Sequence, residues 1–254
     1  MNFQLLNNVL LTNDDGIDAP GLKILENIAS KIAKTIWVIA PERDQSGTAQ
    51  SISIHHPLRI MEKSNNHFAI SGTPGDCVVM GIQEILPQRP DLVLSGVNRG
   101  SNLGIETIFS GTVGAAMTGA LLGIPSIALS QNFRDGYPVK WNTAEYFGAK
   151  IIEQILEHKK NLKNGCININ FPDCQYDEVN TIEYTTQGLG YIENIVPVKR
   201  KDLRQNEYFW LNFDRPIKED KIGTETQAIN NKSISITPLT YERTDFDLLN
   251  QLKK

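Results

Sequence analysis

Histidine and cysteine are scarce in this chain: its 254 residues include 4 His and 3 Cys. Cys77, Cys166 and Cys174 fit no zinc-ligand spacing, and an odd count argues against a disulfide framework. Cys77 lies in an apolar run and reads as a buried free thiol, which points to a reducing compartment. Positive charge is not in excess either. With 25 Lys and Arg against 29 Asp and Glu, the net charge is −4, so no global basic field exists to hold nucleic acid or an anionic membrane. The cluster Lys199, Arg200, Lys201 and Arg204 is short and reads as a solvated loop. Met1 to Asn8 has neither a positive region nor a long apolar one, and does not read as a signal peptide. Thr107 to Phe133 is uncharged and long enough to span a membrane. Its Gly111, Gly114, Gly119, Gly123 and Pro125 instead favour a helix followed by a buried strand. There is no P-loop, no dinucleotide-binding glycine pattern and no nucleophile elbow. The expectation is a soluble, cytoplasmic protein with no nucleic-acid and no membrane partner.

The first half alternates between strands and helices. Val9 to Leu11 is a short apolar run that feeds Asn13-Asp14-Asp15-Gly16, the pattern of a buried strand entering a loop. Pro20 suits a first helical position, and Leu22, Leu25, Ile28, Ala29 and Ile32 then recur at helical spacing. Thr35 to Ala40 is a second apolar run, ended by Pro41. Strand, helix, strand is a βαβ unit, which implies a parallel sheet. Ser51-Ile52-Ser53-Ile54 alternates, and the span from Ser51 to Ile70 reads as a β-hairpin excursion. Thr73-Pro74-Gly75-Asp76 opens a helix, with Thr as N-cap, Pro at the first position and Asp at the third. A strand at Asp91 to Ser95, a small-residue helix at Ser110 to Leu122, a strand at Ser126 to Ser130 and an amphipathic helix at Ala144 to His158 follow. Cys166 to Asn170 is expected to close the sheet. From Tyr184 the pattern weakens: Tyr208 to Leu211 and Ser233 to Ile236 look like strands between polar connections too long for a compact domain. The fold class is therefore α/β: a Rossmann-like, mostly parallel sheet flanked by helices, with a hairpin excursion and an extended C-terminal arm. Residues 1–183 form the core, and residues 184–254 an arm that packs on it and on a partner subunit.

Ligands of open α/β sheets sit beyond the carboxyl ends of the strands. Three such loops carry Asp14 and Asp15, then Ser46, then Asn98 and Asn102. They offer carboxylates, a hydroxyl and amide oxygens, a set suited to hard cations. Adjacent acids after a strand are often only a solvated turn, but two neighbouring carboxylates repel unless a cation lies between them. Ser110-Gly111-Thr112 stands where the small-residue helix begins. A Ser N-cap is the ordinary reason for such a sequence; the same helix end also favours an anion. His55 and His56 read as solvated.

Several motifs occur in order: Thr12-Asn13-Asp14-Asp15-Gly16, Ala19-Pro20-Gly21, Ala40 to Gly47, Gly72-Thr73-Pro74-Gly75-Asp76-Cys77, Ser95 to Gly104, Ser110-Gly111-Thr112-Val113, Asn168 to Pro172 and Ser235 to Leu239. Together they closely resemble the SurE family, the survival-protein 5′-nucleotidases. The resemblance implies a Rossmann-like core with a swapped C-terminal arm, in homodimers or homotetramers. It implies divalent-metal-dependent hydrolysis of nucleoside 5′-monophosphates, with 3′-monophosphates and short polyphosphate as further substrates. One divalent ion (Mg, Mn or Co) is implied at Asp14, Asp15, Ser46 and Asn98. Asp14, Asp15 and Asn102 are the implied catalytic residues, with Ser110, Gly111 and Thr112 binding substrate. Thr118, Glu225 and Asn231-Lys232-Ser233 depart from the family pattern, outside the metal ligands. Two competing readings are an aspartyl-phosphate phosphatase of the haloacid-dehalogenase type and a non-enzymatic nucleotide-binding regulator. The first wants two acids one residue apart followed by Thr, whereas here they are adjacent and followed by Gly.

Overall fold

The computed structural model describes residues 5–158, 162, 164–216 and 221–253. The expected opening unit is present: strand β1 (Leu6–Thr12), helix α1 (Pro20–Ala29) and strand β2 (Ala33–Pro41), with β1 and β2 parallel. The hairpin that follows is β3 (Ile60–Ser64) and β4 (His67–Ile70). Then come α2 (Pro74–Met80), continued by a π-helical turn at Gly81–Ile85, and β5 (Leu92–Arg99). A 3-10 turn at Gly104–Ile108, α3 (Gly111–Leu121), β6 (Ser126–Gln131), α4 (Asn142–Leu156) and β7 (Gly165–Phe171) complete the first part. The remainder holds β8 (Ile182–Tyr184), β9 (Asn194–Lys201), β10 (Glu207–Asp214), α5 (Glu225–Asn230), β11 (Ile234–Thr240) and α6 (Phe246–Leu252).

Among the described residues nine strands form one sheet, in the order β3-β4-β2-β1-β5-β6-β7-β11-β8. From β4 to β7 all neighbours are parallel. The chain moves outward from β1 through β2 to β4, then returns to β5 on the other side of β1. The carboxyl ends of β1 and β5 therefore flank the topological switch point, where such sheets bind ligands. Alternate side chains divide the core. Val9 and Leu11 join Leu22, Leu25 and Ile28 of α1 and Ile151, Ile152 and Ile155 of α4 on one face. Leu10, Ile39 and Val93 meet Cys77 and Val78 of α2 and Ala115 of α3 on the other. Fully burying each large aliphatic side chain stabilises by about 1.5–3 kcal/mol. All three cysteines are free and buried.

Local sequence explains several element ends. Thr73 and Asp76 form a reciprocal capping box: Asp76 N–H donates to Thr73 Oγ1 at 3.1 Å, and Thr73 N–H to Asp76 Oδ2 at 2.9 Å. Pro20 starts α1, and Gly21 lets it approach the sheet, because a Cβ there would lie 1.9 Å from the Val97 carbonyl oxygen. The uncharged stretch from Thr107 resolves into α3 and β6. Among the described residues no helix is long and apolar enough to cross a membrane.

The expected excursion differs in two ways. Ser51 to Ile54 forms no strand; Ile52 and Ile54 are exposed, and Ser53 N–H is tied to Asp76 Oδ1 at 2.9 Å. The alternation there had no buried face to serve. The true hairpin, β3 and β4, belongs to the main sheet, because β4 pairs parallel with β2. Nor does Cys166 to Asn170 close the sheet. β11 pairs antiparallel with β7 and β8 lies beyond it, so part of the C-terminal region enters the core. The β9 and β10 pair forms a separate two-stranded ribbon with Tyr208, Phe209, Trp210 and Leu211 exposed.

Candidate functional site

Asp14 stands two residues beyond Thr12, the end of β1, and is almost wholly buried, at 4% exposure. Its carboxylate lies at the start of α3. Thr112 donates to it twice, from its hydroxyl to Oδ1 at 2.6 Å and from its backbone N–H to Oδ2 at 3.1 Å. Ser110 caps the same helix, its Oγ accepting the Val113 N–H at 3.1 Å. The first turn of α3 therefore holds an anion, and that anion is the protein's own Asp14. This revises the role expected for Thr112, whose N–H and hydroxyl both face Asp14.

The two bonds from Thr112 lower the pKa of Asp14, but burial dominates. Together with the neighbouring Asp15 charge, it pushes the carboxyl up from 3.8 to about 6. Asp15 is half-buried and raised as well, first by burial and then by Asp44, against the pull of the Arg99 N–H, which donates to Asp15 Oδ2 at 3.2 Å. Among the described residues no group of three or more His, Cys, Asp and Glu converges as a metal cluster. Any cation here would meet two carboxylates and neutral oxygens.

Asp14, Ser46, Asn98, Asn102 and Ser110 line one cavity of about 450 Å³. Asp15 lines an adjoining one with Glu42 and Asp44, and Arg99 borders both. Gly111 and Thr112 are buried behind Asp14 rather than on the cavity wall. Gly111 is there for close approach: a Cβ at that position would stand 2.8 Å from Asp14 Cβ. The register shift in the β5–β6 pairing between Ser95 and Asn98 re-aims the strand end at the site, a common use of such irregularities. Asn98 Nδ2 donates to the Gly100 carbonyl at 2.8 Å, which fixes the amide and turns its oxygen away from that bond.

The aromatic lining of this cavity went unnoticed in the sequence. Phe109, Phe133, Tyr191, Phe213 and Arg215 all line the cavity. Phe109 and Phe213 rings lie 5.8 Å apart. Arg215 makes a two-point contact with Glu106, at 3.3 and 3.1 Å, and lies 5.1 Å from the Phe213 ring centroid. Glu106 and Arg215 are 109 positions apart, and no periodicity links them. Glu225, one of the family departures, is buried and accepts the N–H of Gly104 at 2.6 Å and of Gly188 at 2.8 Å. It ties α5 to the loop that carries Asn102.

Buried carboxylates and neutral oxygen donors on one cavity suit a cation, which can in turn hold an anionic group, and the aromatic rings lining the same cavity suit a flat ring. Comparison with known proteins agrees with that description. Residues 9–194 match the family model described as Survival protein SurE. The chain is similar to 5′-nucleotidase SurE 1 of Burkholderia lata, at 46% identity covering 98% of this chain and 96% of the relative. It is also similar to 5′-nucleotidase SurE of a Methylobacterium species, at 47% identity covering 93% and 94%. Among solved structures, the SurE protein from Aquifex aeolicus superposes with a TM-score of 0.82 at 32% identity, covering 97% of this chain and 98% of that one.

Proposed function

The chain belongs to the SurE family, and on that premise we propose that it is a 5′-nucleotidase, hydrolysing nucleoside 5′-monophosphates to nucleoside and phosphate with the help of one divalent cation. Nucleoside 3′-monophosphates and short polyphosphate are secondary substrates in this reading. The observation that carries it is the buried Asp14 carboxylate on the wall of the cavity shared by Ser46, Asn98, Asn102 and Ser110. Family membership favours this reading over the haloacid-dehalogenase-type phosphatase, which would reach the same products through an aspartyl-phosphate, and over the non-enzymatic regulator.

The donor set fits an oxygen-seeking cation. Asp14 is buried beside another carboxylate, which raises its pKa. In addition, Asn13 Oδ1, next to it in the chain, is a buried acceptor with no hydrogen-bond partner among the described residues. Asp14, Asp15, Ser46 and Asn98 would hold the ion, which can be Mg²⁺, Mn²⁺ or Co²⁺. When bound, the cation supplies Lewis acidity toward a phosphoryl oxygen and neutralises charge. Thr112 orients the Asp14 carboxylate. Asn102 and Ser110, on the same cavity wall, are suited to hydrogen-bond phosphate oxygens and to stabilise charge that grows in the transition state. Phe109, Phe213 and Tyr191 offer flat apolar surface to a nucleobase, where ring stacking is favourable.

The remaining features support a wider reading. The exposed apolar side chains of Tyr208 to Leu211 on both faces of the ribbon are suited to a second copy, so the protein is taken as a homodimer or homotetramer, with residues 1–183 as core and 184–254 as the packing region. Free buried cysteines fit a cytoplasmic setting. The test is phosphate release from 5′-AMP and its relatives after chelation, then with each metal restored, beside Asp14→Asn and Asp15→Asn. Loss of a first-sphere charge should cost at least about 10–100-fold. Full activity in chelator, or wild-type rates in both variants, would overturn the metal-dependent reading.

A further inference from the structure

Strand β7 carries Asn168 and Asn170, two residues apart and therefore on one face of the sheet. Their exposures are 1% and 0%. Amides in such a place cost stability unless hydrogen-bonded, and alternating Ile167, Ile169 and Phe171 show that the strand is otherwise built from apolar side chains. Both amides reach the same residue. Asn170 Oδ1 accepts the backbone N–H of Asn102 at 2.8 Å, and its Nδ2 donates to the Asn102 carbonyl at 3.1 Å. That pair of bonds copies what a neighbouring strand would supply to an otherwise irregular loop. Asn168 Nδ2 donates to the same carbonyl at 2.9 Å. The Asn102 side chain is held in turn by Ser130, whose Oγ accepts from Nδ2 at 2.9 Å. Among the described residues Asn168 Oδ1 is a buried acceptor without a partner, a cost that a residue kept only for packing would not carry.

We propose that Asn170, assisted by Asn168, is a positioning residue of the phosphatase reaction, clamping the backbone of Asn102 so that its side chain meets the substrate phosphate in register. The proposal rests on the reading of Asn102 as a catalytic residue. Both amides act through Asn102, 68 and 66 positions away, and neither lines the cavity.

The test is a double-mutant cycle on the full chain, with 5′-AMP and Mn²⁺ as the probe. The variants are Asn102→Ala, Asn170→Ala, Asn168→Ala and the Asn102→Ala/Asn170→Ala pair, each with its thermal midpoint. A displacement of about 1 Å can cost on the order of 100-fold in rate. Asn170→Ala is therefore expected to lose roughly 10–100-fold in kcat with little change in KM. The pair should be no worse than Asn102→Ala alone, since residues acting as one unit are not additive. Thr237→Val is the control for buried polarity as such. Thr237 is the register partner of Asn168 on β11 and bonds Thr185 at 2.7 Å, so its loss should lower the midpoint and leave kcat in place. If Asn170→Ala does not fold, Asn168→Ala, which removes one bond to Asn102, carries the test with a smaller loss in kcat. Wild-type kcat in the folded Asn170 or Asn168 variant, or losses that multiply in the pair, would overturn the positioning role. Wild-type kcat in Asn102→Ala would overturn the reading of Asn102 itself and the positioning role with it.

Discussion

Thr112 donates both its hydroxyl and its backbone N–H to the two oxygens of Asp14, 98 positions away. The contact joins the end of β1 to the start of α3, so the helix that covers the sheet also fixes the acid at its edge. Its two bonds hold the carboxylate in place without offsetting the cost of burying it, and burial pushes the carboxyl up to about 6.

That raised pKa makes a prediction about stability. Between the unfolded value of 3.8 and about 6, the folded chain binds more protons than the unfolded one, so stability falls as pH rises through this range and the full penalty applies above it. The rise from 3.8 to about 6 corresponds to about 3 kcal/mol. Asp14→Asn removes the penalty but gives up one bond from Thr112, worth about 1 kcal/mol. In metal-free protein the variant should be about 2 kcal/mol more stable at pH 7.5, and the difference should shrink towards zero near pH 4. Thermal melts at the two pH values check this; a pH-independent difference would contradict it.

Gly111→Ala should disable the site without unfolding the protein. Its Cβ would meet Asp14 Cβ at 2.8 Å and Oδ2 at 2.9 Å, so the carboxylate must move. The expected loss in kcat/KM is on the order of 100-fold. Wild-type kinetics in a folded Gly111→Ala protein would show that the position of Asp14 is immaterial.

Glu225→Ala removes the acceptor for two N–H groups, those of Gly104 and Gly188. Hydrogen bonds to a charged partner are worth about 1.5–3 kcal/mol each, so urea unfolding should show a loss of about 3–6 kcal/mol. Glu225→Gln keeps one good acceptor and should lose roughly half as much. A change under about 1 kcal/mol for the alanine variant would mean that the loop at Gly104 is held by something else.

Phe213→Ala and Arg215→Ala should act on substrate affinity. Both residues line the same cavity as Asp14 and are not among the proposed metal ligands. KM for 5′-AMP should rise several-fold while kcat changes little, the signature of binding shared by ground and transition states. The partly exposed Arg215–Glu106 pair contributes only about 0.2–1 kcal/mol to stability, so the melting point should barely move. A fall in kcat at constant KM would place these residues in the chemistry instead.

Much of this site could be read from local pattern. An apolar run before Asp14, a proline at the start of α1 and a Thr-Pro-Gly-Asp box before α2 each specify an element by short-range physics. The switch-point rule then gathers Asp14, Ser46, Asn98 and Asn102 without further information. What escaped depends on distance along the chain. The partner of Thr112 could not be named until β1 and α3 were placed side by side. Arg215 and Phe213 lie in a segment with little periodicity, and only the fold brings them to Glu106 and Phe109. Asn168 and Asn170 did leave a trace, two amides alternating with isoleucine, but the trace says which face they share and not what they hold. Ser51 to Ile54 shows the converse: alternation without a neighbouring strand to pair with.

The place of β11 in the sheet also bears on how the chain is made. It lies between β7 and β8 yet occupies residues 234–240. As synthesis proceeds from the N-terminus, β7 emerges with an open edge, and the strand that satisfies it follows some sixty residues later, a span set by Phe171 and Ile234. During that interval the backbone groups of β7 are available to other chains. A ribosome that stalls before residue 234 thus leaves a nascent protein with its acidic pair already complete but its sheet unsealed, a form for which chaperone capture is the safer fate.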